Sequence, residues 1–280
     1  MAEFLREVRP KHRVFTAGLA VLFMALLGSA CVTNPITGRS QVMMVNDQEA
    51  ARASRQAYLQ LLSAADRAQA LDNNPQTLRR VRRITDRLVA QAVQLRPETR
   101  GWKWEVHVLK SKEINAWCMA GGKMAVYTGL IDKIKPSDDE LAQVMAHEIS
   151  HALLSHQAEK ISRVQMQGAG LQLGVLAGAI AGYDLSGVAG LADSAATVAL
   201  QLPNSREAES EADKVGMLLA ARAGYNPQAA ISLWEKMMQS SSGGPPEWLS
   251  THPNPETRIG YMRTLAEEYK PIYRSAARPS

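Results

Sequence analysis

Residues 147–151 read HEISH, and the stretch around them is patterned as a helix. Pro136 to Glu140 (PSDDE) is a strong helix start, with Ser137 and Glu140 at capping-box spacing. The apolar residues Leu141, Val144, Met145, Ile149 and Ala152 then follow at helical intervals. Positions i and i+4 of a helix lie about 40° apart, so His147 and His151 project from one face and can share a tetrahedral metal ion. Glu148 lies about 100° round from His147, beside the metal but off the ligand axis, where a base acting on water belongs. Such a pair constrains the fold, because a third ligand must be delivered from elsewhere in the chain. The acidic cluster Glu207, Glu209, Glu211 and Asp213 is the evident source. On a helix Glu209 and Asp213 share one face, while Glu207 and Glu211 share another with Lys214 and read as a solvated charge stripe. A ligand at Glu209 places Asp213 one turn on, where it can hold the free ring nitrogen of a metal histidine. Geometry alone leaves Glu207 open.

The rest of the chain supplies a frame for that helix. Residues 47–95 read as two helices broken at Asp72-Asn73-Asn74-Pro75, and Trp102 to Leu109 and Lys123 to Thr128 alternate as strands. Further helices are expected over about Ser205 to Ala223, Pro227 to Gln239 and Pro255 to Tyr269, with a loop at Ser240 to Pro246. The Gly/Ala-rich stretch Gly168 to Leu202 is read as a packed helical hairpin, ahead of membrane contact, because Asp184 and Asp193 would be costly in lipid. The fold class is therefore α+β and mostly helical, with a small sheet beside the HExxH helix.

The first thirty residues bear on location. Arg6, Arg9, Lys11 and Arg13 precede an apolar run from Val14 to Leu27 that ends in LLGSAC. That run is short against the roughly 20 residues of a membrane span, so it reads as a lipoprotein signal peptide over 1–30, cut before Cys31, which then carries lipid. An uncleaved anchor helix is the alternative, and Gly28 stands where a lipobox usually has Leu. Residues 31–46 are then a lipid-anchored tether with turns at Asn-Pro and Thr-Gly, and 47–280 one domain. Val32 after the cysteine favours the outer membrane of a bacterial envelope, on its periplasmic side. Lipidation leaves Cys118 as an odd, buried thiol. The net charge of +5 falls to +3 without the leader, and no aromatic-interleaved basic run or phosphate loop accompanies it, so nucleic acid is not an expected partner. Oligomeric state is left open.

HEISHALLSH, NSREAESEADKVGMLLAARAGYNPQAA and PEWLSTHPNPETR, with NAWCMAGGKMAVYTGLI upstream, together resemble the M48 family of zinc metallopeptidases over roughly residues 100–260. The likeness is greatest to bacterial lipoprotein peptidases and the mitochondrial inner-membrane stress protease of that family, and it departs at Ala120, where relatives commonly have Pro. The resemblance implies a zincin-like catalytic domain with one zinc ion on His147, His151 and Glu209, Glu148 as base, and endopeptidase action on unfolded or misfolded envelope proteins. A chaperone-like assembly factor with secondary proteolysis, or a purely structural metal, is the competing expectation. Substrate is expected to lie extended along Lys123 to Thr128. The histidine of the THP block lies near the zinc in relatives, so His252 is expected to fill the fourth coordination site at rest and withdraw for substrate. The alternatives are a hydrogen bond to the oxyanion or a surface position beside Pro253.

Overall fold

The computed structural model describes residues 31–167, 203–240, 247–252 and 255–277. The leader and the Gly/Ala-rich stretch from 168, including the expected hairpin, lie outside the described residues. Among the described residues no helix is long and apolar enough to cross a membrane.

Strands β1 (Cys31–Thr33) and β2 (Ser40–Val42) form an antiparallel ribbon whose connection turns at the Asn-Pro and Thr-Gly pairs. This stretch, expected as a tether, packs onto the domain: the Asn34 and Gln41 side chains donate to the Leu154 carbonyl. Helix α1 (Asp47–Arg67) opens with an Asn46/Glu49 capping box. Helix α2 (Pro75–Leu95) opens where Asn74 accepts from the Gln76 and Thr77 amides, with Pro75 pre-set for the first turn.

Strands β3 (Glu105–Leu109), β4 (Ala116–Met119) and β5 (Lys123–Tyr127) form a sheet in the order β3-β5-β4, with β3 parallel and β4 antiparallel to β5. The sequence reading held two of these strands and lacked β4. AWCM is four residues long, is buried throughout and has no alternation to detect. The strand expected from Trp102 begins at Glu105, because a 3-10 turn over Pro97–Gly101 runs into Trp102 and the Trp104 indole donates to the Thr99 carbonyl. Gly121 and Gly122 close the β4–β5 hairpin at φ 79° and 76°. A Cβ on Gly122 would meet the Trp104 ring at 2.6 Å, so both the turn and the packing require glycine there.

Helix α3 (Asp138–Leu153) starts with the Ser137/Glu140 capping box and is buried from Glu140 to its end. A helix buried all round sits at the centre of the molecule. Sheet strand β4 and helix α2 lie against it, as do α4 (Arg206–Arg222) and α5 (Ala229–Gln239). The core runs through Ile84 and Leu88 of α2, Met124 and Val126 of β5, Met145 and Ile149 of α3, and Trp234 of α5. After a left-handed Ser155 (φ 57°) the chain is helical again over 156–167. Short α6 (Glu247–Thr251) and long α7 (Pro255–Ser275) complete the described residues, α7 carrying Pro271 within it and passing the expected end at Tyr269. The architecture is mostly helical with a small sheet beside the HExxH helix, as the sequence implied.

Candidate metal centre

The site begins with a close helix crossing. A Cβ on Gly216 of α4 would stand 2.9 Å from the His147 backbone, so the bare glycine lets α4 lie directly on α3. Two turns before Gly216 that contact delivers Glu209 to the two histidines. The His147 and His151 Nε2 atoms are 3.1 Å apart, and the Glu209 carboxylate oxygens lie 3.4 Å from each. His252, just past α6, brings Nδ1 to 3.2 Å from His147 Nε2 and 3.0 Å from Glu209 Oε1. All four side chains are buried, and their ligand atoms lie within 4.8 Å of one another.

A tetrahedral zinc ion with bonds of 2.0–2.1 Å separates its ligands by about 3.3 Å, which these separations match. The donor chemistry agrees. Imidazole lone pairs converging on a carboxylate repel one another unless a proton or cation lies between them. His147, His151, Glu209 and His252 therefore fit one zinc ion. Glu207, the alternative left by helical geometry, is exposed on the other side of α4.

The charges around the cluster prepare it for a cation. Burial alone would lower the His147 pKa, yet Asp213 and Glu209 outweigh it and raise it to about 9. Burial pulls His151 well below the usual imidazole value. Burial would lift Glu209, but His252, Arg258 and the two α3 histidines hold it well below the usual carboxylate range. Asp213 Oδ1 lies 3.0 Å from His147 Nδ1, the position expected from its spacing. Its other partner escaped the sequence reading. Arg258 of α7 clasps Asp213 through Nε and Nη2 at 2.7 and 2.6 Å, reaches Glu209 with Nη1 at 2.6 Å, and lies 4.5 Å over the Trp234 ring. Two buried carboxylates demand a counter-cation, but nothing local marks an arginine 45 residues away in sequence as the one that supplies it.

Glu148 is buried, and its Oε1 accepts from the Trp248 indole at 2.8 Å and lies 3.4 Å from His252 Nε2. It borders a cavity of about 470 Å³ lined also by Trp117, Cys118, His151, Lys160 and His252. Cys118 is buried as expected, and burial pushes its thiol well up. Burial also lowers Lys160 to about 8, against the pull of Glu209 and Glu148.

One reading of the sequence is corrected. Glu211 is not on a solvated stripe: it pairs with Arg39 Nε at 3.0 Å and with His156 Nε2 at 3.1 Å. Both partners come from other segments of the fold, which helix spacing alone does not show.

The peptidase family M48 model matches residues 75–266. The chain belongs to that family. Among its M48 relatives, the mitochondrial metalloendopeptidase OMA1 of Schizosaccharomyces pombe is 33% identical over 80% of this chain and 63% of its own length. The Arabidopsis thaliana protein of that name is 38% identical over 62% of this chain and 34% of its own. The beta-barrel assembly-enhancing protease of Escherichia coli K12 is 30% identical over 72% and 41%. The chain thus spans between about a third and two thirds of these relatives.

Proposed function

We propose that the protein is a zinc-dependent endopeptidase of unfolded or misfolded polypeptides, working in quality control at the periplasmic side of a bacterial envelope. The observation that carries the activity is Glu148, buried beside the four-residue metal cluster and bordering a cavity large enough for a stretch of chain. A zinc ion held by His147, His151 and Glu209 would supply Lewis-acid polarisation of a peptide carbonyl and would lower the pKa of water to about 7. Glu148, its carboxylate aimed by the Trp248 indole, is placed to take a proton from an attacking water and to return it to the departing amine. Asp213 and Arg258 hold His147 and Glu209 in place.

The strand expected to take substrate is reassigned. Strand β5 is central, with its backbone paired on both sides, whereas β4 is an edge strand and, unlike the other edge strand β3, contributes residues, Trp117 and Cys118, to the cavity. An extended substrate backbone would lie along β4.

His252 adds a fourth candidate ligand to His147, His151 and Glu209, while catalysis needs an open position. We therefore read His252 as the resting fourth ligand, displaced when substrate enters. A purely structural zinc draws on the same observation, but it gives no reason for a carboxylate aimed by an indole beside the ion. Envelope location rests on the leader and on the bacterial relative. Cys31 is exposed at the start of β1, where a lipid would be accommodated.

The test compares wild type with Glu148→Gln for zinc content and digestion of unfolded casein. The expected result is equal zinc and a fall in turnover of about 10²–10⁴-fold. Undiminished cleavage by the zinc-loaded variant would remove Glu148 as base, and zinc-bound wild type that cleaves nothing would favour the structural metal.

A further inference from the structure

His147 and His151 are held on their outer ring nitrogens in different ways. The Nδ1 of His147 meets the carboxylate of Asp213. The Nδ1 of His151 meets another imidazole: His156 Nδ1 stands 2.8 Å away, with the ring centroids 5.0 Å apart. A histidine that gives its Nε2 lone pair to a metal keeps its proton on Nδ1. The Nδ1–Nδ1 contact can then form only if His156 accepts at Nδ1 and carries its own proton on Nε2. That Nε2 faces Glu211 Oε2 at 3.1 Å.

The chain continues to the surface. Arg39 donates from Nε to both Glu211 oxygens at 3.0 Å, and its other two nitrogens bind Glu159 at 2.8 and 2.6 Å. Arg39 lies in the β1–β2 ribbon, whose Asn34 and Gln41 also bind the Leu154 carbonyl at the end of α3. His156 is 3% exposed and Glu159 is also 3% exposed, so water does not substitute for these partners.

We propose that His156, Glu211 and Arg39 are a positioning chain that fixes the tautomer and orientation of His151, making the N-terminal ribbon a working part of the metal site. The proposal rests on the reading of His147, His151 and Glu209 as zinc ligands. Each link has one donor and one acceptor: His151 Nδ1–H to His156 Nδ1, His156 Nε2–H to Glu211, and the Arg39 guanidinium to Glu211. Partners of this kind are worth about 10–100-fold in metal affinity when removed. A merely structural role for His156 would instead affect the fold and leave affinity alone.

The experiment measures zinc affinity by chelator competition and thermal stability of the zinc-free protein, using the full chain. His156→Ala should weaken zinc binding by about 10–100-fold. His156→Asn keeps an acceptor near the Nδ1 position and should recover most of that loss, and Arg39→Gln should give a smaller loss than His156→Ala. Nitrogen NMR of zinc-loaded wild type, which depends on no variant folding, should find the His156 proton on Nε2 and the His151 proton on Nδ1. A His156 proton on Nδ1 would overturn the proposal, as would zinc affinity within threefold of wild type in a folded His156→Ala. So would Asn and Ala variants with equal losses. Wild type that binds no zinc would overturn the metal reading together with this one, whereas a zinc-bound wild type with an unaffected His156→Ala overturns this one alone.

Discussion

At the scale of single residues, the site depends on which carboxylates lose their water and what replaces it. Glu209→Gln should cost the protein its zinc, while Glu207→Gln, at an exposed position, should leave zinc content as in wild type. Zinc lost from the second variant and kept by the first would reverse the assignment. Arg258 is the counter-charge of both Glu209 and Asp213, and removing one member of a buried ionic group costs about 3–5 kcal/mol. Arg258→Met should therefore melt well below wild type without metal, and zinc should restore more of its melting temperature than it adds to wild type. Equal zinc-induced shifts in the two proteins would show that Arg258 is not balancing the site. For His252→Ala the expected result is faster basal cleavage with zinc retained. A large fall in turnover would instead favour an oxyanion contact, and no change would leave His252 without either role.

Among the elements, the crossing of α3 and α4 sets the geometry of the site. Gly216→Ala puts a methyl against the His147 backbone at 2.9 Å, where no flexible side chain can give way. Overpacking of this kind costs about 1–3 kcal/mol, and pushing α4 outward also withdraws Glu209 and Asp213. The variant should show both a lower melting temperature and weaker zinc binding, and a stability loss with undiminished affinity would mean that α4 shifts without moving its carboxylates. This contact was only half legible. Capping residues and apolar spacing define both helices in the sequence, but which residue of α4 touches His147 depends on how the two helices cross. Strand β4 was illegible for a different reason: a buried four-residue strand shows no period.

For the whole molecule, the ion pairs of Arg39 with Glu159 and Glu211 help to join the N-terminal ribbon to the body. Burial would raise the Glu159 carboxyl, but Arg39 outweighs it and, with Gln41 and Arg163, holds it at about 2 against an ordinary 4.5. A depressed carboxyl pKa contributes stability in full above the unfolded value and loses it as pH falls through the folded one. The ribbon should therefore stay docked above about pH 4.5 and loosen between there and about pH 2. The amides of residues 31–45 should lose protection, measured against their intrinsic exchange rates, in that window before those of α3, and a ribbon that exchanges only with global unfolding would contradict it.

The sequence by itself determined the longer helices, the Ser137/Glu140 cap, the i, i+4 pairing of His147 with His151 and of Glu209 with Asp213, and the family likeness, because each of these depends on residues within a few turns or on motifs in order. The tertiary structure decided what lies between elements distant in the chain: Arg258 on Glu209 and Asp213, Trp248 on Glu148, Arg39 on Glu211, His156 on His151, and β4 at the sheet edge. Periodicity shows which face a residue occupies, while the partner that face meets is set by how helices and strands pack. In a buried ionic site that partner decides whether a carboxylate is a ligand, a support or a surface charge.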